Sequence, residues 1–169
     1  MSRHTPKAAL VPSAFFDAAS AREILSRTVL LEDDDEIEYI SLPEYSAELV
    51  YSLSDTSPAP EPVEGGALSG VERPELYYVL KALSGIGEHN KIVASYGDGV
   101  LSLAIAQGKE LLLANVFTAA DFITAEYFLF MAVKKLQLNP EVSTVHFLTS
   151  LSPEQEMSLY RYFKSVEQL

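Results

Sequence analysis

Apolar positions along this chain repeat first with a ragged period and then, past residue 73, with clear alternation between strand-like and helix-like spacing. Near the start, AALVP (Ala8 to Pro12) predicts a short strand closed by proline. Phe16, Ala19, Ile24 and Leu25 then recur at roughly helical spacing over Ser13 to Arg27, with Asp17 early and Arg27 late. IEYISL (Ile37 to Leu42) and AELVYSL (Ala47 to Leu53) predict two more strands.

The C-terminal stretch is more regular. Leu76, Tyr77, Val79, Leu80 and Leu83 form a helical stripe behind Pro74, stopped by Gly85 and Gly87. Three strands follow at Lys91 to Gly97, Val100 to Gln107 and Glu110 to Phe117. Asp98-Gly99 and Gly108-Lys109 join them as tight hairpin turns, so the three form an antiparallel meander. A helix is expected from Thr118, with Thr118 and Asp121 at capping-box spacing, running to Leu138 and ended by Asn139-Pro140. Its face is so broadly apolar that something beyond the sheet is expected to cover it. The strand TVHFLT (Thr144 to Thr149) comes next, then a helix opened by the capping box Ser152-Pro153-Glu154-Gln155.

Between these regions, residues 54–73 hold four acidic residues, three prolines and three glycines. Such a stretch buries too little apolar area to offset its ordering entropy and is expected to be a flexible insertion. The expected organisation is therefore an N-terminal β/α segment over 1–53, the insertion over 54–73, and a subdomain over 74–169. The class is α/β with a mixed sheet, and the order from Lys91 is β-β-β-α-β-α. That is the order of the ribonuclease-H-like unit from which actin-like lobes are built, short by one βα step at the end unless the N-terminal strands complete it.

Charge narrows the partners. The chain has 12 basic and 24 acidic residues, a net of −12. That field repels phosphate backbones, which argues against nucleic acid, and disfavours anionic membrane surfaces. Asn115, Asp121 and Glu126 interrupt the most hydrophobic stretch, so no membrane span is expected. There are no cysteines, which excludes disulfides and thiolate metal sites. A cytoplasmic location is the default.

Several stretches resemble a known family: ALVPSAFFD (Ala9 to Asp17), ELVYSL (Glu48 to Leu53) and above all KELLLANVFTAADFITAEYFLFMAVKKLQLNPE (Lys109 to Glu141). These look like the domain-of-unknown-function family numbered 3822 of the Bacteroidetes, whose members have an actin-like ATPase fold. A more distant resemblance is to the actin-like assembly proteins of type IV pili. The resemblance implies a fold and no established activity. Family members carry further N-terminal strands forming a first lobe, and this chain is expected to start after them. Leu151-Ser152 stands where a nucleotide-binding lobe of this type places a glycine pair.

Candidate chemistry is sparse. Gly97, Asp98 and Gly99 sit where actin-type ATPases hold phosphates with a glycine-containing hairpin, although turn chemistry alone accounts for them. No Walker-type or Gly-x-Gly-x-x-Gly pattern occurs, and no cofactor is expected. Asp98 and Asp121 are the only acids placed for a two-metal nuclease, and Asp121 is explained by its helix N-terminus. The run Glu32 to Glu36 lacks an EF-hand pattern and reads as a solvated acidic loop. His4, His89 and His146 are dispersed, and His146 reads as a structural residue in a strand. What remains is the aromatic helix. Phe122, Tyr127, Phe128 and Phe130 are the expected interaction surface for a protein partner or for self-association. The expected function is that of a non-catalytic, degenerate actin-like module, with ATP binding at Asp98-Gly99 as the alternative and a metal-dependent nuclease a distant third.

Overall fold

A computed structural model describes residues 1–54 and 71–169; most of the expected 54–73 insertion lies outside the described residues. Ten strands and four α-helices follow in order. They are β1 (Ser2–Arg3), β2 (Ala8–Pro12), α1 (Ala21–Ser26), β3 (Glu38–Leu42), β4 (Ala47–Tyr51), β5 (Arg73–Pro74) and α2 (Glu75–Ser84). After them come β6 (Asn90–Gly97), β7 (Val100–Gln107), β8 (Glu110–Thr118), α3 (Phe122–Lys135), β9 (Thr144–Phe147), α4 (Pro153–Tyr160) and β10 (Ser165–Gln168).

The principal sheet has five strands in the order β10-β9-β6-β7-β8. The meander β6-β7-β8 is antiparallel, while β9 runs parallel to β6 and β10 parallel to β9. Both hairpins use the turns that the sequence encodes: Asp98, Gly99 and Gly108 have φ of 51°, 71° and 56°, the left-handed values that two-residue hairpins need. β10 supplies the strand of the βα step expected to be missing. The N-terminal strands do not complete this sheet; β2, β4 and β3 form an antiparallel sheet of their own in the order β2-β4-β3.

Two further boundaries differ from expectation. Thr118 does not cap α3; it pairs with Val100 at the end of β8. The cap is Asp121, whose Oδ1 accepts the Thr124 amide at 2.8 Å. The single helix expected over Ser13 to Arg27 is broken into 3-10 turns at Ser13–Phe15 and Ala18–Ser20 before the short α1. Asp17 accepts the Ala19 amide and so starts the second turn afresh.

Each face of the five-stranded sheet carries a core. On one, Leu129 and Val133 of α3 and Leu159 of α4 pack against Ile92, Leu103, Val145 and Phe147. On the other, Leu76, Leu80 and Leu83 of α2 pack against Val93, Ala104 and Ala106, and Leu42, Leu49 and Tyr51 of the small sheet join the same cluster. Each fully buried leucine here contributes about 1.5–3 kcal/mol relative to exposure. Among the described residues, no helix is long and apolar enough to cross a membrane.

Candidate functional site

The Gly97-Asp98-Gly99 turn is covered on its Gly97 side. A Cβ built on Gly97 would stand 2.5 Å from Nε2 of His4, so the imidazole from the segment between β1 and β2 lies flat against this glycine. Gly99 is held from the other side, where its carbonyl accepts the Ala119 amide at 2.8 Å. Asp98 itself is exposed. Beneath the turn, Glu75 at the start of α2 is buried and accepts hydrogen bonds from Ser95 Oγ at 2.6 Å and from Ser2 Oγ. Backbone pairing of β1 with β5 fixes Ser2 beside this carboxylate.

Asp121 does not join Asp98 in a metal-binding arrangement. The Thr124 backbone amide and side chain hold its carboxyl below the ordinary carboxylate range, the signature of an N-cap. Neither acid belongs to a group of three metal-ligating side chains among the described residues.

Of the four aromatics expected to form an interaction surface, three are half-buried. Phe122 meets Tyr96 edge-on at 5.8 Å, Phe128 stacks on Phe117 at 5.1 Å, and Phe130 packs on Tyr162 at 4.4 Å and Phe163 at 5.6 Å. Tyr127 alone is exposed, at 61%, and Ile123 one turn before it is 77% exposed. Ile123 was legible as a member of the helix; its outward direction was not, because the helix is apolar nearly all round and periodicity cannot choose a face.

The acidic run contains a surprise. Asp35 is buried rather than solvated, and its carboxylate receives Lys7 Nζ, the Ser52 hydroxyl at 2.9 Å and the Glu32 amide at 2.7 Å. Burial pushes this carboxyl up, but the hydrogen bonds from Lys7, Glu32 and Ser52 outweigh it and hold it below the usual value. Arg22 clamps the same loop by donating to the carbonyls of Asp35 and Glu32. His146, dispersed from the other histidines in sequence, lies in β9 beside Glu167 of β10 and near Glu88 of the α2–β6 loop.

The model of the family described as "Protein of unknown function (DUF3822)" matches residues 75–166, from the start of α2 into β10. The chain belongs to this family. Among solved structures, it is similar to a Bacteroides thetaiotaomicron protein with an actin-like ATPase fold and unknown function. The two share 15% identity with a TM-score of 0.74, over 99% of this chain and 66% of that one. This chain thus spans about two thirds of that relative, and the likeness shows an actin-like fold. A weaker likeness, with a TM-score of 0.43 and 15% identity, is to a chain of a PilM-PilN type IV pilus biogenesis complex, over 96% of this chain and 65% of that one. No curated protein matches the sequence.

Proposed function

We propose that this DUF3822 chain is a non-catalytic module of actin-like fold that works by binding another protein. The observation that supports this most is the covered hairpin. An anion held by a backbone turn needs its amides facing open space, and here the His4 imidazole occupies the space above Gly97. The Leu151-Ser152 junction after β9 offers no glycine to bring backbone close to a second nucleotide group.

The contact surface in this reading is the outer face of α3 around Ile123 and Tyr127, one helical turn apart and both exposed. A net charge of −12 makes a second copy a poor occupant, because the two would repel at contact. The partner is therefore a different polypeptide with apolar side chains set in a neutral or basic surface. A cytoplasmic place for the protein belongs to the same proposal, as the default for an acidic chain without cysteines.

The deciding experiment is the melting temperature of the protein with and without millimolar Mg·ATP. A ligand at about 100 times its dissociation constant adds roughly 2.7 kcal/mol and moves the transition by several degrees. We expect no shift; a shift abolished by Asp98→Ala would replace this reading with an ATP-binding one. For the surface, a photo-crosslinking side chain at position 127 should give one discrete adduct in cells, and one at the exposed Glu154 of α4 should not. Adducts of equal pattern at both positions would remove α3 from the proposal, and an adduct of twice the chain mass would identify self-association instead.

A further inference from the structure

We propose that His146, Glu167 and Glu88 form a binding site for a zinc ion. His146 is 3% exposed and fixed in β9, on the sheet face shared with Val93, its register partner in β6. Its Nδ1 lies 3.3 Å from the Ile92 carbonyl oxygen, which can only accept. A proton on Nδ1 leaves the Nε2 lone pair available as a ligand. That lone pair faces another acceptor, Glu167 Oε2, at 3.4 Å. An ion placed between that nitrogen and that carboxylate oxygen would be held by both.

A proton would satisfy that pair, making an imidazolium–carboxylate contact. A metal ion would take in the second carboxylate as well. Glu88, from the loop after α2, brings an oxygen into the same space, so that one ligand atom of each of the three residues lies within 4.8 Å of the others. The separation of 3.4 Å between Nε2 and Oε2 fits a shared metal. Zinc bonds of about 2.0–2.1 Å in a tetrahedron place neighbouring ligand atoms roughly 3.3 Å apart. Glu88 is exposed and closes the remaining distance by a change of rotamer, leaving water for the fourth position.

The donor set argues against calcium and magnesium. One imidazole nitrogen with two carboxylates suits zinc, whereas calcium and magnesium favour oxygen throughout. An Nδ1–H hydrogen-bonded to a backbone carbonyl is also the usual way in which a ligating histidine is oriented. The three ligands come from the α2–β6 loop, from β9 and from β10, so the ion would clip the edge strand β10 to the body of the sheet. The site stands whether or not α3 binds a partner.

The test is zinc titration of the whole chain by calorimetry, with cobalt absorption reporting the ligand geometry. We expect one ion per chain and no competition from magnesium or calcium. Glu167→Gln and Glu88→Gln remove exposed carboxylates, so both variants should fold, and each should bind zinc at least about tenfold more weakly. Nitrogen chemical shifts should move at His146 Nε2 and at neither His4 nor His89. Absence of stoichiometric zinc binding would overturn the site, and so would binding that survives both substitutions.

Discussion

Lys7 Nζ sits 3.0 Å and 2.8 Å from the two carboxylate oxygens of Asp35, and the pair is almost sealed from solvent. Taking two charges out of water is costly, and the pair persists because the surroundings satisfy it: the Ser52 hydroxyl and the Glu32 amide complete the carboxylate. This contact ties the residue just before β2 to the acidic loop 28 residues later.

Asp35→Ala removes the buried carboxylate that receives Lys7 Nζ, the Ser52 hydroxyl and the Glu32 amide. The expected cost is about 3–5 kcal/mol, read from the midpoint of denaturant unfolding. In the native protein the folded pKa of Asp35 lies below its unfolded value of 3.8. Its contribution is therefore fully present above the unfolded value and is lost as pH falls through the lower folded one. Unfolding titrated between neutral and strongly acid pH should show this loss below about pH 4 in the native chain and lack it in Asp35→Ala.

Gly97→Ala tests the covered hairpin. The added methyl meets the His4 ring, which must swing aside, and a destabilisation of about 1 kcal/mol is expected. Because the clash is with one side chain, the cost should vanish when the same change is made in His4→Ala. A double-mutant cycle by chemical denaturation would measure that coupling, and additivity of the two changes would show that His4 does not cover the turn.

Ser152→Ala removes one half of a reciprocal cap: Ser152 Oγ accepts the Gln155 amide at 3.2 Å, while Gln155 Oε1 accepts the Ser152 amide at 2.8 Å. A loss of about 1 kcal/mol is expected in the unfolding free energy. Gln155→Ala should cost less than this, since water can reach the exposed Ser152 amide.

Surface and interior should separate on α3. Ile123→Ser with Tyr127→Ser alters exposed positions and should shift stability by no more than about 0.5 kcal/mol. Leu129→Ala, on the opposite face and 1% exposed, should cost about 2–5 kcal/mol. Thermal unfolding of the two variants side by side would check the contrast.

What the sequence made legible follows from where its information is local. The meander could be read because its turns demand left-handed backbone and use Asp98, Gly99 and Gly108 to supply it. The cap on α4 could be read because all its partners lie within four residues. β10 escaped notice because SVEQ is four residues long with only Val166 fully buried, the pattern of an edge strand that owes its form to the neighbour β9. The start of α3 was misplaced because Thr118 suits a ladder position as well as a cap, and only pairing with Val100 decides between them. The Lys7–Asp35 pair and the His146–Glu167–Glu88 group are assembled from distant segments, so no spacing along the chain announces either.

The shared core over the α2 face bears on how the molecule comes apart. Leu42, Leu49 and Tyr51 from before residue 55 and Leu76, Leu80 and Val93 from after residue 70 occupy one cluster. Neither stretch alone can shield its share of this cluster from water. Polypeptides 1–54 and 71–169, produced separately, should each be poorly soluble and should rescue one another on mixing. The peptide link between them then acts chiefly to raise the effective concentration of two complementary halves.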